Sequence, residues 1–301
     1  MQHLSFQDEI AKNKRNSILL VISVSAVLFA LFYILAYILS PSSMFVIIPL
    51  SFVFIIIYIY STYEYGDRVV LSATHAKPAE GRDYQYLIDT VEGLSIASGI
   101  PPPKIYVMES PEINAFATGK DPAHASLAVT TGTLSRLSRQ ELEGVLAHEI
   151  SHIKNRDILM MTLVAVVVGL AAILSYIILR SFMYGGVSGG QRDRRRGGID
   201  IVIILVGLIL AVIAPFVVRI IQFAISRRRE YLADASGADI TRYPEGLASA
   251  LEKILNTNKS NMDVSEAVSH LFFADPRRTS LDSLFDTHPP LEKRIERLRA
   301  M

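Results

Sequence analysis

The chain contains no cysteine. Disulfides and thiolate metal ligands are therefore excluded, and any bound metal must take its ligands from His, Asp or Glu. Net charge is nearly absent as well: 30 Lys and Arg stand against 29 Asp and Glu. Such a balance carries no nucleic-acid footprint, so the placement of charge matters more than its sum. Histidine is scarce, at seven positions. Apolar residues are plentiful: they make up half of the 301 positions, and the mean hydropathy is +0.34, high for a soluble protein. The length leaves room for one or two domains with a real core.

Four apolar segments stand out: Ser17–Ser40, Ser42–Tyr63, Ile158–Leu179 and Ile201–Val218, the last continuing apolar through Ile225. A bilayer core of about 30 Å needs about 20 helical residues. The first two segments read as membrane spans, with Tyr33, Tyr37, Tyr58, Tyr60 and Tyr63 as an aromatic belt. A cleaved signal peptide does not fit the first, because its apolar run is too long and no small-x-small site follows. The second pair reads as a hairpin over 158–226. It either crosses the membrane or packs inside the soluble domain, since an 18-residue run is close to the lower limit for a span.

Charge sets the orientation. Pro41-Ser42-Ser43 carries none, while Lys12, Lys14 and Arg15 lead the first span. This places the N-terminal segment 1–16 and everything after Tyr63 in the cytoplasm, and Arg227, Arg228 and Arg229 agree. The Gly- and Arg-rich loop 182–199 disagrees, because Arg192, Arg194, Arg195 and Arg196 lie outside if both later segments span.

The soluble parts form an α+β domain in two blocks, 64–157 and 227–301, split by the hairpin and too small to hold separate cores. In the first, Tyr84, Leu87, Ile88, Val91 and Leu94 recur at helical spacing, and Gly99 closes that helix. KIYVM, INAFATG and ASLAVTTG are short strand-type runs. SRQE, Ser138–Glu141, is a capping box that opens the next helix. In the second block, EGLASALEKIL and PLEKRIERLRAM are amphipathic helices.

The helix opened by Ser138 carries His148-Glu149-Ile150-Ser151-His152. Histidines four apart share a helix face and can offer two imidazoles to one zinc ion. Glu149 lies beside them, placed to take a proton from the attacking water and pass it to a leaving amine. A catalytic site needs a third protein ligand and one open position. The candidates are the carboxylates and His3, His75, His124, His270 and His288. One pattern stands out. SRRREYLADASGAD places Glu230 and Asp234 four apart, with Ala233 and Gly237 small enough to admit a second helix. Glu230 can bind the metal there and Asp234 can orient a ligand histidine. The same segment equally suits a solvated helix at the membrane, with Glu230 paired to the arginines.

HEISHIKNRD, SRRREYLADASGAD and THPPLEKRIERL, in this order and interleaved with apolar segments, resemble the HtpX-type membrane zinc metalloproteases, relatives of the CAAX prenyl endopeptidases. The resemblance implies a zincin-like catalytic domain, predominantly helical, with transmembrane helices. It implies His148, His152 and Glu230 as ligands of one zinc ion, Glu149 as the catalytic base and Asp234 as partner to the ligands. It also implies misfolded or damaged membrane proteins as substrates at the bilayer. INAFATG matches the family's segment beside the active site. There Asn114, Ala115 and Phe116 either offer an edge strand to an extended substrate or belong to an ordinary core strand. His288 in THPP either donates a hydrogen bond to the oxyanion of the transition state or braces the last helix.

Helical rise adds a height constraint. If the third segment enters the bilayer at Ile158, His152 lies about 9 Å above it. Glu230 lies at about 18 Å if the fourth segment ends at Val218, and at about 7 Å if it continues through Ile225 to end near Ser226. The second choice matches and requires Arg219 to snorkel or face a polar partner. Lys154, Asn155, Arg156 and Asp157 then form a polar collar between zinc site and lipid. Two rivals remain. A prenyl-protein processing protease uses the same chemistry, but more than two N-terminal spans and a longer chain would suit it better. A non-catalytic zinc-dependent scaffold does not need Glu149.

Overall fold

The structure, a computed structural model, describes residues 44–166, 227–259, 262–276 and 289–301, with scattered positions between 15 and 29. Most of the span over 17–40, the loop 182–199, the segment 201–226 with Arg219, and His288 lie outside the described residues.

Helix α1, Met44–Ala73, is apolar and long enough to cross a membrane by length and composition. Phe45, Leu50, Phe52, Ile57 and Tyr60 are exposed along it, a surface suited to lipid rather than water. The helix does not stop at Tyr63, where the apolar run ends. It continues to Ala73 because Val70 and Leu71 turn inward and pack on Phe116, Phe272 and Met161. The span and the soluble domain thus share one rod.

Four strands follow: β1 Lys77–Pro78, β2 Lys104–Met108, β3 Ala115–Gly119 and β4 Ala125–Thr130. Their order is β1-β2-β4-β3, with β2 and β4 parallel and the other pairs antiparallel. The sequence signals for β2, β3 and β4 were strong, whereas two-residue β1 has none. Between β1 and β2 lies α2, Gln85–Ser98, closed by Gly99 at φ 71°, where glycine is favoured. β3 and β4 are buried along their whole length, because core covers both faces of the sheet.

Short α3, Thr131–Arg136, leads into α4, Arg139–Lys154, whose capping box forms as the sequence predicts. Next come α5, Asp157–Val166; α6, Arg227–Thr241; α7, Pro244–Thr257; α8, Glu266–Ser269; and α9, Leu291–Arg299. Leu87 and Val91 of α2, Val145, Leu146 and Ile150 of α4, Leu247 and Leu251 of α7 and Leu298 of α9 share one core. Glycines let the helices of the second block close on α4. A Cβ at Gly144 would stand 2.6 Å from the Leu247 amide nitrogen, and one at Gly237 would stand 3.0 Å from that of His148.

One sequence expectation fails here. The histidine helix does not run on into the apolar segment. It ends at Lys154, Arg156 adopts φ 58°, and a new helix starts at Asp157. Nor does that segment meet lipid at Ile158. Ile158, Met160, Leu163 and Val164 are buried, and Thr162 lies under β3, its hydroxyl 2.8 Å from that of Thr118. On its other side, a Cβ at Gly66 of α1 would come within 2.9 Å of the Thr162 methyl. Protein, rather than bilayer, surrounds the described start of the third segment, so its distance from His152 does not measure height above lipid.

Candidate metal centre

Two helices build the centre. From α4, His148 and His152 project their Nε2 atoms to within 3.1 Å of each other. From α6, Glu230 brings Oε1 to 3.5 Å from His152 Nε2 and Oε2 to 3.8 Å from His148 Nε2. All three residues are buried, and their ligand atoms lie within 4.8 Å of one another. The contact at Gly237 makes this possible, because a larger residue would push α6 off the histidine helix.

The arrangement fits a metal ion. Ligands at about 2.0–2.1 Å around a tetrahedral ion such as zinc stand about 3.3 Å apart. The two histidine nitrogens, 3.1 Å apart, stand close to that spacing, and Glu230 sets one oxygen 3.5 Å from His152 Nε2 and the other 3.8 Å from His148 Nε2. Two basic nitrogens and a carboxylate crowded this closely in a buried pocket need a shared cation or proton.

Each imidazole is held from behind. His148 Nδ1 donates to Asp234 Oδ1 at 2.9 Å, the contact expected of Asp234. His152 Nδ1 donates to Asp157 Oδ2 at 3.1 Å. Sequence reading placed Asp157 in a polar collar and missed this role. Five residues on in an unbroken helix, Asp157 would point about 140° away from His152. The turn at Arg156 returns it. Asp157→Asn is expected to weaken metal binding about 10–100-fold at unchanged fold, because the orienting carboxylate loses its charge. A competition titration with a fluorescent zinc chelator measures this, and wild-type affinity would refute the role.

Sequence reading also missed Arg294, seen only as one charge on an amphipathic helix. It is wholly buried. Its Nε and Nη2 donate to the two oxygens of Asp234 at 2.9 and 2.7 Å, and its Nη1 donates to the Phe273 carbonyl at 3.1 Å. Nη1 also lies 3.7 Å from Glu230. A buried arginine answers here to two carboxylates at the centre. Burial alone would favour neutral Asp234, but Arg294 and His148 outweigh it and hold the carboxyl below the usual range.

The two histidines are driven apart in acidity. Burial, joined by Arg294 and His152, pushes His148 down to about 4. Burial opposes charge on His152 too, but Asp157, Glu230 and Glu149 outweigh it and lift that histidine to about 9. At neutral pH, without metal, His148 is therefore neutral and His152 carries a proton. A cation needs that nitrogen's lone pair and must expel the proton. About one proton should leave per ion bound near pH 7.5, with affinity rising about tenfold per pH unit and levelling off above about 9. Isothermal titration in buffers of different ionisation enthalpy reads the count, and a count of zero would contradict this charge state.

The other described histidines stand apart, and His3 lies outside the described residues with His288. His124 pairs with Asp121 at 2.9 Å on the surface, His75 is exposed, and buried His270 donates from Nε2 to the Met161 carbonyl at 3.1 Å. Ala115 and Phe116 are buried in β3, the end strand of the sheet, and Asn114 is buried directly before it. Glu149 is buried beside His148 on the same helix.

Known proteins are similar to this chain. The model of peptidase family M48 matches residues 82–301. A protease HtpX homolog from Caldanaerobacter subterraneus subsp. tengcongensis is 46% identical across 97% of this chain and 96% of its own length. One from Dictyoglomus thermophilum is 42% identical across 100% of this chain and 96% of its own length. The crystal structure of S. mikatae Ste24p superposes with a TM-score of 0.50 at 21% identity. It covers 96% of this chain, which spans 65% of that protein, and shows likeness of fold. With relatives this similar along nearly the whole chain, the protein belongs to peptidase family M48, among its HtpX-type membrane metalloproteases.

Proposed function

We propose that the protein is a zinc endopeptidase of a prokaryotic cell membrane. Its catalytic face lies on the cytoplasmic side, and its substrates are misfolded or damaged membrane proteins and unfolded chains near the bilayer. In this reading His148, His152 and Glu230 hold one zinc ion per chain. Asp234 and Asp157 keep the two imidazoles turned toward it, and Arg294 fixes Asp234. When bound, zinc polarises the scissile carbonyl and lowers the pKa of water to about 7. Glu149 takes the proton of the attacking water and delivers it to the leaving amine.

The observation that carries this reading is the position of Glu149. It is buried one residue after His148, outside the trio whose donor atoms converge. A metal-holding scaffold has no need of a further buried carboxylate there, whereas hydrolysis needs a base. The basic flanks of the first two apolar segments support the orientation. The continuous rod of α1 supports work close to the bilayer, because it ties the domain to the span without a linker.

The test uses the full chain, purified in detergent and loaded with zinc. Unfolded casein and the protein itself are expected to be cleaved, with loss on chelation and recovery on zinc addition. Zinc binding without any cleavage would support a scaffold. Cleavage confined to a prenylated peptide would move the substrate class to prenyl proteins.

A further inference from the structure

β3 is the last strand of the sheet, and it packs against the histidine helix α4, so its outer edge is where an extended chain would reach the site. That edge is occupied. The segment Leu271–Ala274 runs antiparallel to it, with Phe272 bridged to Phe116 and the Phe273 amide donating to the Ala115 carbonyl at 2.8 Å. Asn114 completes the contact. Its Nδ2 donates to the Ala274 carbonyl at 2.8 Å, and its Oδ1 accepts from the Ala274 amide at 3.1 Å.

Three features distinguish this segment from an ordinary fifth strand. Its pairing is a single bridge, approached through tight turns in which Leu271 and Phe272 donate to Val268 and Ser269. Its clamp is a side-chain amide that reads only one backbone N–H and one C=O, groups that almost any polypeptide offers. Its path leads to the centre. The Phe273 ring lies 4.9 Å from the His148 ring and 4.8 Å under the Arg294 guanidinium, which also holds the Phe273 carbonyl.

We propose that Leu271–Ala274 is a built-in stand-in for substrate, filling the β3 groove that an extended polypeptide must take over before it is cleaved. This rests on the protease reading above. The proposal also names a substrate class. Phe272 and Phe273 are 0% and 1% exposed, so displacing them uncovers two aromatic pockets. Water is a poor replacement for those rings, and a strand with large apolar side chains is a good one. Such strands are shielded in folded proteins and exposed in unfolded ones. A folded or polar chain would leave the stand-in seated.

Two measurements test it on the full, zinc-loaded chain. The protein lacks cysteine, so Phe116→Cys with Phe272→Cys gives one engineered pair. The bridged residues form a non-hydrogen-bonded antiparallel pair, about 4.5 Å between Cα atoms, within disulfide range. The oxidised form is expected to cleave casein at least about tenfold more slowly than the same protein after phosphine reduction, at equal zinc content. Equal rates in the two forms would overturn the proposal.

The second measurement keeps both rings. In Glu149→Gln, saturation with the peptide Ala-Leu-Phe-Phe-Ala is expected to speed hydrogen exchange over Leu271–Ala274 at least about tenfold, leaving β4 unchanged. A peptide that fails to bind, or binds with Leu271–Ala274 still protected, would overturn the proposal, even if the cysteine variant folds poorly. Wild-type protein assayed alongside separates the two readings. If it cleaves nothing, the protease reading fails. If it cleaves casein while the stand-in stays seated, only the present inference fails.

Discussion

Glu149→Gln is expected to bind zinc like the wild type and to lose cleavage by about 10²–10⁴-fold, the usual contribution of a positioned acid–base group. The substitution keeps volume and hydrogen-bonding capacity but cannot accept the proton. The fold should survive, because α4 keeps its capping box and its packing through Val145, Leu146 and Ile150. Metal binding should change little. His152 loses one of the charges that raise it, but Asp157 and Glu230, which act on it more strongly, remain. Zinc content by mass spectrometry and casein cleavage, read on one preparation, separate the roles. Undiminished cleavage would remove Glu149 from the chemistry, and lost zinc would make it a structural residue.

Arg294→Ala should have the largest effect on stability. The change leaves Asp234 buried without its main countercharge and strips a donor from the Phe273 carbonyl. Removing one partner of a buried pair costs about 3–5 kcal/mol. For a domain of this size that lowers the melting temperature by roughly 6–20 °C. The double variant Arg294→Ala with Asp234→Ala should regain part of the loss, since no charge is then stranded. Arg299, five residues further on α9, is a control. It pairs with Glu245 at 3.0 Å and Glu252 at 2.8 Å on the exposed surface, and Arg299→Ala should shift melting little. Equal shifts at the two arginines would show that Arg294 is no anchor. Calorimetry of the zinc-free proteins keeps metal binding out of the comparison.

These two residues also mark what sequence can and cannot reveal. Glu149 is legible because its neighbours in sequence are its neighbours in the site. The capping box at Ser138 and the histidines four apart are helix-periodic signals of the same local kind. Glu230 and Asp234 were legible in part: their own spacing is periodic, and Ala233 and Gly237 signalled a close helix. That this close helix is α4 rests on tertiary packing. Arg294 carries no local signal, since an arginine on a strongly amphipathic helix looks solvated until another element covers it. Asp157 was hidden by a break at a non-glycine residue, Arg156, which composition does not announce. The contact of Leu271–Ala274 with β3 joins residues far apart in sequence and leaves no period to read. β3 itself was clear as a strand, but its neighbours were not.

The shortest strand has a consequence for the company this protein keeps. β1 ends the sheet with Lys77 and Pro78, both exposed. Proline offers no amide hydrogen, and the lysine puts charge on the rim, where it pairs with Glu109 at 3.3 Å. A two-residue margin of this kind gives an incoming strand almost nothing to extend. Chains that aggregate do so by adding strands to open sheet edges, and on this side of the sheet β1 offers them almost no edge to extend.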